Sequence, residues 1–292
     1  MTTLDSDFEI STNLGRGNFS IVHLGIKKKD KISYAIKSIY KEKILNKIEN
    51  IESIINEIKA LRKLNHPHII KLHEVYESDK YIHLVFEYLK GGELFEIIDE
   101  RGVFSEIEAQ SLIKSMVETL SYVHSQKIIH RDLKPENIIL QDRNDLISYK
   151  IADFGLSTFL ENDEKQYLRC GSPGFVSPES LNKEGYDFKV DVFALGVITH
   201  ILLTGFPPFQ RNTYKDTILA NKECKVDFDF PVWNNVSIES KNFVKKILEK
   251  DPNQRYSSSE AMKDPWFLIK LKNIGSIFDI VDFNASLQMK YE

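Results

Sequence analysis

Two short segments carry side chains of the types that move a phosphoryl group. The first is His130-Arg131-Asp132-Leu133-Lys134-Pro135-Glu136-Asn137. In it Asp132 can accept or orient a hydroxyl proton, Lys134 can neutralise a terminal phosphate, and Asn137 offers an amide oxygen to magnesium. The second is Asp153-Phe154-Gly155, whose aspartate is a hard oxygen donor suited to the same cation. Either aspartate by itself reads as a solvated loop carboxylate. The ordered string, with proton acceptor, cation and paired oxygens together, is what points to chemistry.

Upstream lies a complementary set. Leu14-Gly15-Arg16-Gly17-Asn18-Phe19-Ser20-Ile21-Val22 is a glycine-rich turn between two apolar runs. Gly15 and Gly17 allow backbone amides to approach phosphate oxygens where a Cβ would collide, although a plain hairpin turn also uses glycine. A dinucleotide-binding turn leads into a helix, whereas Ile21 to Ile26 reads as a strand, which argues against NAD chemistry. Lys37 follows in Tyr34-Ala35-Ile36-Lys37. A lysine on a half-buried strand needs a counter-charge, and Glu57 on the next helix is the candidate. Paired so, Lys37 would point at the α- and β-phosphates; the alternative is an exposed strand lysine.

These residues need a scaffold of two characters. Short β-rich runs cover Phe8 to Leu14, Ile21 to Ile26, Tyr34 to Ile39, Ile69 to Leu72 and Tyr81 to Tyr88. One helix interrupts them, with Ile51, Ile54, Ile55, Ile58 and Leu61 at helical spacing around Glu57. After Gly91-Gly92 the pattern turns helical. Ser105 caps a helix carrying Ala109, Leu112, Ile113, Met116, Val117 and Leu120 on one face. Further apolar helices span Val190 to Leu203 and about Ile238 to Leu248. The expected architecture is α+β: a small antiparallel-sheet lobe, a junction near Glu87 to Gly92, and a larger helical lobe, with a ligand cleft between them.

The 292 residues suffice for two such lobes. A net charge of -4 gives no pull toward nucleic acid or anionic membrane. Cys170 and Cys224 make neither a disulfide framework nor a metal site and read as reduced thiols. Met1-Thr2-Thr3-Leu4-Asp5 reads as neither a signal peptide nor a myristoylation site, and no apolar stretch approaches a membrane span. A soluble, cytoplasmic monomer is expected, with the nucleus left open.

In motif content and order the chain resembles the eukaryotic protein kinases over residues 8 to 267, with a sheet lobe at about 8–88, a helical lobe at about 89–267 and a short tail at 268–292. The match takes in the glycine turn, Lys37, Glu57, the His-Arg-Asp and Asp-Phe-Gly segments, Ser177-Pro178-Glu179, Asp191 and Arg255. The resemblance implies ATP and magnesium in the cleft. It assigns Asp132, Lys134, Asn137 and Lys37 to catalysis, and Asn137 and Asp153 to the metal. Val22, Ala35 and Ile139 would sandwich the adenine, Phe86 would guard the back of its pocket, and Glu87 to Leu89 would form the hinge. Glu93 would meet the ribose and also face substrate, and with Glu136 would recognise an arginine three residues before the target. Leu61, Leu72, His130 and Phe154 match an apolar column linking the lobes. Glu179 and Arg255 match a buried ion pair.

Lys134 and Gly171-Ser172-Pro173-Gly174-Phe175 resemble the serine/threonine kinases, with Ser172 where many relatives have threonine; either hydroxyl could bridge Asp132 and Lys134. Tyr88-Leu89-Lys90-Gly91-Gly92-Glu93-Leu94-Phe95, Gly205-Phe206-Pro207-Pro208-Phe209 and Asp264-Pro265-Trp266-Phe267 resemble the calcium/calmodulin-dependent group, which often tolerates a residue such as Ser20 in place of the third glycine. In relatives Arg131 often pairs with a phosphorylated activation-loop residue. Here Phe159 to Gly171 holds no serine or threonine, and Glu161, Asp163 and Glu164 supply charge instead. Activity without serine or threonine phosphorylation of that loop is therefore expected. Calmodulin as a partner rests on Phe283-Asn284-Ala285 alone, in a tail poor in basic residues and interrupted by Asp279 and Asp282. No EF-hand pattern is present. The implied function is transfer of the γ-phosphoryl group of ATP to serine or threonine of protein substrates. The rivals are a catalytically silent pseudokinase acting as a nucleotide-binding scaffold, and a small-molecule kinase, which the segment Gly171 to Glu179 disfavours.

Overall fold

The computed structural model describes residues 3–17, 19–44, 48–161 and 164–271. Asn18 of the glycine turn, Asp163, and the tail residues Asp279, Asp282 and Phe283 to Ala285 fall outside these. The architecture is two-lobed α+β, a five-stranded antiparallel sheet followed by a larger helical part. Strands β1 (Phe8–Arg16), β2 (Ser20–Lys27), β3 (Ser33–Tyr40), β4 (Leu72–Glu77) and β5 (Tyr81–Glu87) lie in the order β1-β2-β3-β5-β4.

The two-residue period of β3 divides its work between the faces of the sheet. Tyr34 and Ile36 join Leu4, Phe8, Tyr76 and Val85 in a small outer core, where the Phe8 ring stands edge-on to Tyr34 at 5.5 Å. Ala35, Lys37 and Ile39 face the opposite way, toward the rest of the molecule. Register then fixes their neighbours: Val22 and Leu84 flank Lys37, and Phe86 lies across from Ala35.

The helix Ile48–Lys63 packs on that inner face through Ile54, Ala60 and Leu61. Ile55, expected in the apolar stripe, is exposed instead. One residue beyond Ile54 turns about 100° round the helix, and the inward direction there belongs to Ile54, Glu57 and Leu61. A second departure concerns Ile69 to Leu72, read as a strand. The strand begins only at Leu72, where side chains start to alternate. Ile69 and Ile70 are buried, and their backbone makes a single parallel bridge to Ile151. A continuous apolar run marks burial on both sides and does not by itself select a sheet.

In the helical part, Glu106–Ser125 begins with the expected capping box, Ser105 and Glu108 satisfying each other's backbone amides. All six of its predicted apolar residues are buried. Lys189–Thr204 is buried along nearly its whole length, and Ile238–Ile247 begins at a Ser237 cap. Leu94–Arg101 and Tyr214–Glu223 are two further short helices that the sequence reading does not give. Between the lobes run short strands. β6 (Gly92–Glu93), β8 (Ile138–Leu140) and β9 (Tyr149–Ile151) form one antiparallel sheet, and β7 (Ile128–Ile129) pairs with β10 (Thr158–Phe159).

One continuous apolar cluster runs from Ile39 and Phe86 through both parts to Trp266. Leu61 and Phe154 belong to it, Leu72 packs against it, and the His130 ring stands edge-on to Phe154 at 4.7 Å. Glu179 and Arg255 form a two-pronged ion pair at 2.6 and 3.0 Å, both side chains almost wholly buried. Cys170 and Cys224 are free thiols. Among the described residues no helix is long and apolar enough to cross a membrane.

Candidate active site

Three elements deliver the first cluster. Lys37 projects from β3, Glu57 from the helix Ile48–Lys63, and Asp153 from the turn after β9. Lys37 Nζ donates to Glu57 Oε1 at 2.8 Å and Oε2 at 3.1 Å, and to Asp153 Oδ1 at 3.2 Å. Residues 116 positions apart are thus brought into contact. Burial opposes the Lys37 ammonium, but the two carboxylates outweigh it and hold its pKa above the ordinary lysine value. Lys37 in turn holds the Asp153 carboxyl below its usual range. Glu57 is 2 % exposed and serves as the fixed anchor, while half of the Asp153 side chain remains open to the cleft.

The second cluster is built on the catalytic segment. Asp132 Oδ1 accepts from the Ser172 amide at 2.9 Å and from its hydroxyl at 2.8 Å. Lys134 Nζ donates to the same hydroxyl at 2.7 Å and lies 3.4 Å from Asp132 Oδ2. Ser172 therefore bridges Asp132 and Lys134 as a threonine could. Asn137 Nδ2 donates to the Asp132 carbonyl at 2.8 Å and to Oδ2 at 3.3 Å, which turns its amide oxygen away as the end available to a cation.

Backbone joins the two clusters. β8 pairs with β9 through Ile138 and Ile151, and the Ala152 amide donates to the Asn137 carbonyl at 2.8 Å. His130 Nε2 donates to the Ala152 carbonyl at 3.0 Å while Nδ1 accepts from the Asp132 amide at 3.2 Å. One imidazole thus links the amide of Asp132 to the residue immediately before Asp153. Asp191, itself buried, accepts from the His130 and Arg131 amides, each at 2.9 Å. Arg131 and Asp153 hold left-handed backbone angles, φ of 68° and 56°, a strained conformation that these surrounding bonds over-determine.

The glycine turn lies beside the first cluster. Gly15, Val22 and Lys37 form one row across β1, β2 and β3, so Gly15 is two strand spacings, about 10 Å, from Lys37. A Cβ added at Gly15 would meet no protein atom within 4 Å, so nothing in the protein itself demands glycine there. At Gly17 it would press on the Ser20 hydroxyl at 2.9 Å. Neither residue has a positive φ, so conformational freedom does not explain them either. Leu14, Arg16 and Phe19 are exposed along the turn, and Ser20 and Ile21 open β2.

The expected adenine residues fall on the inner face. Ala35, Leu89 and Ile139 pack against the main core, Phe86 lies within it, and Val22 is half-buried on β2. The Glu87 side chain points to structure outside the cleft, leaving its backbone for the expected hinge. Its carboxylate accepts from the Lys71 amide at 2.8 Å and pairs with Lys150 at 3.2 Å. Lys150 also donates to the Pro67 carbonyl at 2.8 Å, bracing the hinge and the loop before β4 against β9. No sequence signal marked Lys150 for this; only the pairing of Ile69 with Ile151 brings these segments together. Glu93 precedes the helix Leu94–Arg101, its pKa raised by burial and by the charges of Glu96 and Glu136. Glu136 keeps a buried Oε2 with no hydrogen-bond partner among the described residues.

With this geometry in view, comparison with known proteins is decisive: the protein kinase domain family matches residues 8–267. This chain is a protein kinase. Myosin light chain kinase A of Dictyostelium discoideum is 40 % identical over 281 residues, covering 96 % of this chain and 94 % of that protein. A probable myosin light chain kinase of the same organism is 39 % identical, covering 97 % and 81 %. Probable serine/threonine-protein kinase 2 of Plasmodium falciparum is 39 % identical, covering 91 % of this chain and 51 % of that protein. The kinase is accordingly of the serine/threonine type and takes ATP as its phosphoryl donor, in keeping with the group that its motifs resemble.

Asp163 lies outside the described residues, so the pairing expected for Arg131 of this kinase can be followed only at Glu161 and Glu164. Among the described residues Arg131 forms no ion pair with Glu161 or Glu164. Its guanidinium donates instead to the Leu156 carbonyl at 2.5 Å and to the Tyr186 hydroxyl at 3.3 Å. A half-buried guanidinium is satisfied by fixed neutral acceptors as well as by a carboxylate.

Proposed function

We propose that Asp132, Lys134, Asn137, Lys37 and Asp153 carry the transfer, each in the role that its surroundings support. A serine or threonine hydroxyl of the substrate attacks the γ-phosphorus, the bond to the bridging oxygen breaks, and ADP leaves. The hydroxyl proton passes to Asp132, whose Oδ2 holds only the longer contacts while Oδ1 is fixed by Ser172. Lys37, held by Glu57, meets the α- and β-phosphates. Lys134, 2.7 Å from Ser172, neutralises charge on the transferring group. The observation that carries this reading is the meeting of Lys37, Glu57 and Asp153 next to a hydroxyl-accepting Asp132.

The donor set fits magnesium. Asp153 and Asn137 are hard oxygen donors, and two protein ligands are what this cation takes when phosphates and water complete its shell. Among the described residues no group of three or more His, Cys, Asp or Glu could hold a metal by itself. When bound, magnesium held by Asp153 and Asn137 would offset negative charge on the phosphates. The turn from Leu14 through Gly15, Arg16, Gly17, Asn18, Phe19, Ser20 and Ile21 would cover the phosphates. Its glycines, which the protein does not otherwise require at Gly15, leave that side free for them. Val22, Ala35, Phe86, Leu89 and Ile139 would receive the adenine, with the Glu87 to Leu89 backbone along its edge and Glu93 at the ribose. A pseudokinase reading has less support, because every charged group that the transfer needs is present, Lys37 in contact with Glu57 and Asp153, and Lys134 with Asp132.

Substrate choice follows from Glu93 and Glu136. Their carboxylates repel each other, and one Glu136 oxygen is buried without a partner. An arginine upstream of the target would relieve both costs. A positional peptide library is expected to show strong selection for arginine three residues before the target. Glu136→Gln should cut that selection about tenfold or more while leaving other positions unchanged. A library with no basic preference removes this assignment. Because the relatives are named for myosin light chains, a light chain is the protein substrate to try first. The same assay run with and without calcium–calmodulin tests that partner, which only Phe283 to Ala285 supports.

A further inference from the structure

The activation segment after Phe159 is fastened at one point that the transfer chemistry does not use. Tyr186 lies just ahead of the helix Lys189–Thr204 and is 2 % exposed. Its hydroxyl accepts from Arg131 Nη1 at 3.3 Å and donates to the Leu168 carbonyl at 2.7 Å. Cys170 Sγ lies 4.0 Å from the same oxygen. One neutral hydroxyl therefore connects the catalytic segment, through the residue adjoining Asp132, to the activation segment four residues before Ser172. The backbone reinforces it. Gln166 and Tyr186 exchange two amide–carbonyl bonds, each 2.9 Å, and Lys165 pairs with Asp187 at 2.5 Å.

The opposite end of the segment has little freedom. Gly171 runs so close to the catalytic segment that a Cβ there would lie 2.7 Å from the Arg131 carbonyl. Ser172 is then held on Asp132. A slip of the segment at Leu168 would pull on Ser172, and through it on Asp132 and Lys134. Burial pushes the Tyr186 phenol up to about 12, so it stays protonated and can donate at any physiological pH. A donor–acceptor chain that starts on a guanidinium is polarised and stronger than its neutral members alone.

We propose that the Tyr186 hydroxyl is the positioning group that fastens the activation segment to the catalytic segment, holding the kinase ready for a protein substrate with no phosphate on that segment. The idea rests on the kinase reading above and adds to it a residue outside the phosphate-binding cleft. Tyr186 occupies the Arg131 side chain that would otherwise seek an added anion.

The test compares full-length wild type with Tyr186→Phe, both treated with phosphatase. Phenylalanine keeps the buried ring and removes only the hydroxyl. Wild type is expected to remain active after phosphatase. The variant is expected to lose about tenfold or more in kcat/KM for a serine peptide, with the nucleotide Kd unchanged. Trypsin should cut after Lys165 and Arg169 several-fold faster in the variant, which reports release of the segment directly. Equal peptide kcat/KM and equal cleavage in the two proteins would overturn the proposal, as would a parallel loss of nucleotide affinity, which marks a general stability role. If wild type transfers no phosphoryl group at all, the kinase reading fails; the trypsin comparison then still decides whether the hydroxyl holds the segment.

Discussion

Asp132→Asn is expected to lower kcat for peptide phosphorylation by about 10²- to 10⁴-fold, the usual contribution of a positioned proton acceptor. Asparagine keeps the size of the side chain, and its carbonyl can still accept from the Ser172 amide and hydroxyl, which now hold Oδ1 at 2.9 and 2.8 Å. What it loses is the second oxygen. An amide NH₂ in the place of Oδ2 would face Asn137 Nδ2 and Lys134 Nζ, donors against donors, and could take no proton from a substrate hydroxyl. Nucleotide binding depends on other groups, so its Kd should move little. Steady-state kinetics beside nucleotide titration separate the two quantities. Near-normal kcat in the variant would show that Asp132 does not receive or orient the proton. A collapse of nucleotide affinity would show that it belongs to a different part of the site.

The second large effect is on stability. Arg255→Met should destabilise the kinase by about 3–5 kcal/mol, because it leaves the Glu179 carboxylate buried with its two-pronged partner gone. Arg255 is 1 % exposed and its guanidinium also donates to the Glu249, Lys189 and Lys250 carbonyls. Three segments of the helical part, around Glu179, Lys189 and Glu249-Lys250, therefore lose a common donor at once. For a chain of this size the melting temperature should fall on the order of 10 °C. Combining Arg255→Met with Glu179→Gln should cost less than the sum of the two single changes, since neither charge is then stranded. Chemical denaturation of the three variants checks this. Strict additivity would mean that the pair contributes no coupling and that packing alone holds these segments together.

The parts of the site that could be read from sequence are those whose chemistry is carried by the residue itself. Lys37, Glu57, Asp132, Asn137 and Asp153 each announce a charge or a donor that folding must place somewhere, and their order along the chain leaves few ways to do it. The β3 register was legible for the same reason, since alternation in Tyr34-Ala35-Ile36-Lys37 fixes which face each side chain takes. What escaped are groups that act by reaching a distant segment. Lys150 looks like any strand lysine until β9 lies beside Pro67 and Glu87. Tyr186 looks like a core aromatic until the activation segment folds back over it. The partners of Arg131 have the same origin: a guanidinium's partner is chosen by tertiary geometry, and among the described residues it meets the Leu156 carbonyl and the Tyr186 hydroxyl. Ile69 to Leu72 misled for another reason, because dense burial between two lobes and burial within a sheet leave the same apolar run.

The central claim is that an ammonium, a cation-binding pair of oxygens and a proton-accepting carboxylate act on one triphosphate. It is tested most directly by incubating the purified full chain with magnesium and γ-labelled ATP, together with a serine peptide carrying an upstream arginine, and reading label on the peptide. The account predicts steady transfer to the serine by wild type, and loss of transfer on removing magnesium or on the substitution Asp153→Asn. Saturable ATP binding by wild type with no label reaching any peptide or protein would contradict it.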